Sequence, residues 1–161
     1  MCRIAAALAK EVHLHLSRTR FATASTTRRS TSILRRCLTI STVWYNTRCP
    51  VYDAGIDWQR NKLLALVRAG TVEFKDINQQ PDALAHFGAS VDDIRRRLHA
   101  TDAAGRLIVG ADVAIALWLI TPGEGRLAAL FGNRAALPFT RFFYDRFADL
   151  LFAWNKRSGR W

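Results

Sequence analysis

Leu38-Thr39-Ile40-Ser41-Thr42-Val43-Trp44-Tyr45-Asn46-Thr47-Arg48-Cys49-Pro50-Val51-Tyr52 is the stretch that decides how this chain of 161 residues folds. Residues 38–45 are mostly β-branched and aromatic, which predicts a buried strand. Asn46-Thr47-Arg48 follows as a short polar loop. Pro50 suits the first position of a helix, where its fixed φ fits and its missing N–H costs nothing. Cys49 then falls at the helix N-cap, facing unpaired backbone N–H groups and the positive end of the helix dipole, with Arg48 beside it. Such surroundings favour the reactive thiolate. The competing reading of a single cysteine at a strand end is a small buried hydrophobe. Redox work needs that sulfur reachable, with a helical turn starting just past it.

Working outward, residues 53–69 read as a helix with Ile56, Leu63, Leu64 and Val67 as its apolar stripe. Asp57, Arg60 and Lys62 face solvent, and Gly70 is the stop. Residues 71–77 alternate as a strand with Val72, Phe74 and Asp76 on one face. Strand, helix and strand of these lengths form a parallel βαβ unit with a right-handed crossover. Two short helices are expected over 81–87 and 90–97, the second capped by Ser90 with Asp92 and Asp93 in its first turn. Residues 98–101 and 106–109 flank Asp102-Ala103-Ala104-Gly105, a hairpin turn with Gly105 left-handed.

Asp112 is expected to cap a helix over 113–120, apolar all round and so buried, but far short of the roughly 20 residues that span a bilayer. A short helix over 127–131 and a long amphipathic one complete the chain. In the long helix Phe139, Phe143, Phe147, Leu150, Leu151 and Trp154 recur at helical spacing, with Arg141, Asp145 and Asp149 on another face. The aromatic stripe reads as core packing. Attachment to a membrane surface, helped by Lys156, Arg157 and Arg160, is the minor reading.

The net charge of +11 is unevenly spread. Residues 1–38 hold eight of the 24 basic residues and one of the 13 acidic ones, Glu11. This tail is rich in Arg, Ser and Thr, with an amphipathic stretch over 4–16 and a low-complexity run over 25–32 that is expected to be disordered. It reads as an organellar transit segment or as upstream translation from a misassigned start, and has no secretory pattern. A nucleic-acid-binding arm is the weakest reading, because no aromatic stacking pattern accompanies the arginines. The three cysteines, Cys2, Cys37 and Cys49, and the four histidines have no metal-ligand spacing, which argues against structural zinc or a disulfide-stapled secreted fold. A cytoplasmic location is expected, or an organellar one if the tail is a genuine leader.

A βαβ unit with a cysteine at its first strand-to-helix junction, followed by a hairpin and covering helices, resembles the α/β thioredoxin-like architecture. Four further groups of residues narrow this. They are Trp44-Tyr45-Asn46-Thr47-Arg48-Cys49-Pro50-Val51, the Asp102-to-Arg106 turn with Gly110-Ala111-Asp112, Ala116-Leu117-Trp118, and Trp154-Asn155-Lys156-Arg157. In this order and spacing the chain resembles the DCC family of thiol-disulfide oxidoreductases, named for an Asp-x-x-Cys-x-x-Cys signature. The likeness covers about residues 40–157.

With the tail set apart by its composition, a disordered basic segment over 1–38 and a thioredoxin-like domain over 39–161 are expected. The resemblance implies protein-disulfide reductase chemistry with Cys49 as nucleophile, in an active-site loop with Asn46, Arg48, Pro50 and Tyr52. The partner would be a disulfide-containing protein or a small thiol, with no cofactor beyond an external thiol such as glutathione, no metal and no nucleic acid. Two positions depart from the signature: Asn46 stands where Asp is expected, and Tyr52 where the second cysteine is. A phenol cannot resolve a mixed disulfide, so impaired or single-thiol catalysis is expected. Cys37 precedes the first strand, at the far end from Cys49. Nor does a proline precede Leu98, where thioredoxins place one in the cis form. A non-catalytic interaction module of the same fold is the alternative.

Overall fold

The computed structural model describes residues 40–161, all within one compact unit. Expectations about the tail, Cys2, Cys37, the domain boundary and the first two residues of the strand lie outside the described residues.

The fold is built around strand β1 (Ile40–Tyr45), which is flanked on both sides in a four-stranded sheet of order β2-β1-β3-β4. Parallel β2 (Glu73–Asp76) registers Thr42 with Glu73 and Tyr45 with Asp76. The crossover between them is α1 (Pro50–Lys62) and α2 (Leu64–Arg68). Antiparallel β3 (His99–Asp102) lies on the other side of β1 and is joined by a hairpin to β4 (Leu107–Val109). This is an α/β fold with a mixed sheet and C-terminal helices, consistent with the thioredoxin-like expectation. Both faces of β1 are covered, as its apolar run requires. Val43 and Tyr45 pack with Ile56, Leu63, Val113, Leu117 and Leu151, while Trp44 points the other way onto Ile77, Leu84 and Ile94.

Several local signals act as expected. Ser90 caps α3 (Val91–Arg96) and exchanges hydrogen bonds with Asp93, a reciprocal capping box. Gly105 has φ +74°, and the carboxylate of Asp102 accepts the N–H groups of Ala104 and Arg106, which fixes the hairpin turn.

Other expectations are corrected. The helix predicted over 53–69 is interrupted at Leu63, whose N–H is shared by the carbonyls of Gln59 and Arg60 as the turn tightens. Leu63 is buried there while Leu64 is exposed. Residues 81–87 form successive three-residue turns ending in a 3₁₀ turn (Ala85–Phe87), because the bonds made there run Asp82 to Ala85 and Leu84 to Phe87. Asp112 does not cap α4 (Ala111–Ile120). Gly110 does, at φ +71°, a left-handed conformation that lets the chain leave β4 and turn into the helix. Asp112 instead pairs with Arg141. Nor is α4 buried all round: Ala111, Val113 and Leu117 are covered, but Leu119 is 54% exposed.

The largest correction concerns the last two helices, α5 (Gly125–Phe131) and α6 (Leu137–Arg157). The stripe that α6 turns toward the body is Tyr144, Ala148, Leu151, Phe152 and Asn155, flanked by Asp145 and Asp149, which bind Arg97. Phe139, Phe143, Phe147, Leu150 and Trp154, expected in the core, lie on the exposed side. Both stripes obey the helical period, and the ion pairs Arg97–Asp145 and Arg141–Asp112 go with the less bulky one facing α3 and α4.

Candidate functional site

The junction of β1 and α1 gathers all the residues singled out in the sequence. Cys49 is the N-cap of α1 in an extended conformation, with Pro50 opening the helix. Its N–H donates to the carbonyl of Asn46 at 3.1 Å, and its own carbonyl accepts from the N–H of Asp53 at 2.9 Å. Arg48 and Pro50, on either side, are exposed, but Cys49 itself is fully buried. The helix expected just past the sulfur is present. The sulfur is not reachable in this conformation.

What covers it comes from the far end of the chain. The amide of Asn155, on α6, donates to the Cys49 Sγ at 3.2 Å and to the carbonyl of Leu151 at 2.8 Å. Its carbonyl oxygen accepts from the Arg160 guanidinium at 2.6 Å. The Arg160 guanidinium in turn lies 4.2 Å from the centre of the Trp154 ring, while Trp161 packs against Phe152 in a tilted arrangement. The chain beyond α6 thus holds Asn155 over the thiol.

Asn46 is wholly buried and organises the loop. Its Oδ1 accepts from the N–H of Arg48 at 3.0 Å and from the Asn78 amide at 2.8 Å, whereas its own Nδ2 is buried without a partner. The nearby carboxylate is Asp76, at the end of β2, bound by Thr47 and Asn78. Burial alone would raise its pKa, but these hydrogen bonds outweigh it and hold the carboxyl below its ordinary range.

Tyr52 lies one turn into α1 and is also buried. Its hydroxyl donates to the carbonyl of Arg96 at 2.9 Å and lies 3.4 Å from that of Tyr144, which accepts the N–H of Leu98 at 3.2 Å. Burial, then the neighbouring Tyr144, push the Tyr52 phenol far above its ordinary range. It is a neutral hydrogen-bond donor, not a nucleophile. The segment before β3 therefore does face the junction, through backbone carbonyl and N–H groups. Beyond Tyr52, a largely apolar groove of about 350 Å³ runs between α1, α4 and α5, lined by Val51, Trp58, Trp118 and Leu127.

Sequence reasoning found the loop and the first turn of α1 but missed Asn155, Arg160, Tyr144 and Asp76. A signal for Asn155 existed: it is the polar member of the otherwise mostly apolar i, i+3, i+4 stripe from Tyr144 to Asn155.

Fold and site together define a thioredoxin-like α/β protein with a single cysteine at the first strand-to-helix junction. The model of the DCC1-like thiol-disulfide oxidoreductase family matches residues 43–157, most of the chain, and the chain belongs to that family. No curated protein and no solved structure matches it.

Proposed function

We propose that the protein is a single-thiol disulfide oxidoreductase in which Cys49 attacks and an external thiol resolves. The observation that carries this reading is the position of Cys49 as N-cap of α1, with a hydrogen-bond donor, the Asn155 amide, aimed at its sulfur. In the reaction the Cys49 thiolate attacks one sulfur of a substrate disulfide. A mixed disulfide forms and the other substrate sulfur leaves as a thiolate that takes up a proton. A glutathione-type thiolate then displaces Cys49, and a second equivalent frees the substrate. The substrate disulfide gains two electrons, and two external thiols become one disulfide. Tyr52 occupies the position of a resolving cysteine and supplies none of this chemistry. Exchange runs through an open form in which Asn155 has moved off the sulfur, because the closed form excludes substrate.

A non-catalytic module of the same fold is the second reading, favoured by the burial of Cys49. Replacing Tyr52 discriminates the two. Tyr52→Cys is expected to raise disulfide reductase turnover several-fold per folded molecule and to lose the gain when Cys49→Ser is added. The same change empties a buried site, at a cost of about 3 kcal/mol of stability, so the folded fraction is measured alongside. An unchanged rate in a folded Tyr52→Cys protein points to the binding module.

A further inference from the structure

We infer that the outward face of α6 is a docking surface for an anionic lipid bilayer, on which the helix lies flat. The helix is apolar on both sides, and the body covers one. On the other, Phe139 and Phe143 are each 67% exposed and Leu150 73%, in line with Phe142, Phe147 and Trp154. At 1.5 Å per residue this face, from Phe139 to Trp154 of the 21-residue helix, runs over roughly 22 Å. A soluble surface does not carry so large an apolar stripe without an occupant.

Charge identifies the occupant. The acids of α6, Asp145 and Asp149, are held by Arg97 and Arg146, and Asp112 is held by Arg141. The charges left at the two ends of the face are basic. Arg134 precedes the helix and Arg157 closes the face, and neither has an ion-pair partner among the described residues. The Arg146 guanidinium lies over the ring of Phe142 at 5.9 Å and that of Arg160 over the ring of Trp154 at 4.2 Å, which places cationic heads against aromatic rings of this face. Apolar bodies with basic heads at their margin match an interface of acyl chains below and phosphates above. A second copy packed antiparallel on this face would bring Arg157 of each helix toward Arg134 at the start of the other, with both carboxylates of the helix already held by arginines. No described helix is long and apolar enough to cross a membrane, so the geometry is that of a helix lying in the interface.

The test uses the full chain with vesicles of phosphatidylcholine, alone or with about 30% phosphatidylglycerol. Because the basic tail also attracts anionic lipid, the comparison is with the double variant Phe143→Glu/Leu150→Glu, tail intact. The expected result is partition onto the anionic vesicles weakened at least about tenfold in the variant, with thermal unfolding unchanged. Brominated acyl chains should quench tryptophan emission of the wild type more than that of Trp154→Phe. Should the double variant fail to fold, this difference in quenching decides by itself. Equal binding of both proteins, equal binding to neutral vesicles, or quenching that ignores Trp154 overturns the proposal. So does a wild-type dimer in sedimentation equilibrium that the double variant dissolves.

Discussion

The sulfur of Cys49 lies under the amide of Asn155, 106 residues later, and that amide is itself held by Arg160. A thiol at a helix N-terminus is therefore tied to the end of the chain through one hydrogen bond, and its exposure depends on how firmly that end is held. Tyr52 is tied down differently, by donating to the Arg96 carbonyl beside the Tyr144 hydroxyl. Tyr52→Phe removes the donor and leaves a buried carbonyl unanswered, so it should cost about 1–2 kcal/mol in urea unfolding. A loss near zero would mean that the hydroxyl is not engaged as described. The Asn46 amide shows the opposite case. One oxygen serves two donors, while its Nδ2 is buried unpartnered. A carboxylate, which only accepts, suits that position better than the amide does.

At the scale of elements, legibility followed locality. The strand before Cys49, the proline at the start of α1, the capping box on α3 and the glycine of the hairpin are each decided by residues within a few positions, and the structure contains them. The start of α4 differs from the expectation because Asp112 is a good cap in isolation, while the decisive residue, Gly110, acts through a left-handed backbone. The orientation of α6 differs from the expectation for a deeper reason. Helical period locates stripes, but when two stripes exist it does not say which one meets the body. Bulk alone favours the aromatic stripe as the buried one. Partners distant in sequence, Arg97 and the Cys49 thiol among them, are met by the other. The site was legible in the same uneven way: its loop came from local sequence, and its cover from a contact that only the tertiary fold brings about.

For the molecule as a whole, acid should act in two stages. His99 is buried next to β1, where its Nδ1–H donates to the carbonyl of Arg97 at 2.9 Å. Burial lowers its pKa from the ordinary 6.5, outweighing the opposite pull of that hydrogen bond and of Asp93. The folded protein thus prefers the neutral ring. Once pH falls below about 6.5 the unfolded chain takes up a proton the native state resists, and stability is lost as pH drops through the folded value. The carboxyls of Asp102 and Glu124 also lie below their ordinary range, since hydrogen bonds and neighbouring cations outweigh their burial. Their contribution disappears at lower pH, below about 4. Urea midpoints should therefore fall between about pH 7.5 and pH 5, and His99→Gln should flatten that step while leaving the loss below about pH 4. A flat wild-type profile across the upper window would contradict a buried neutral His99.

The most direct measurement is chemical. The full chain is incubated natively with glutathione disulfide, quenched with acid and mapped by mass spectrometry, beside an Asn155→Ala variant. A mixed disulfide at Cys49 should form slowly in the wild type, several-fold faster when the covering amide is removed, and disappear on adding glutathione. Adducts confined to Cys2 and Cys37, with Cys49 modified in neither protein until urea unfolds it, would contradict the account.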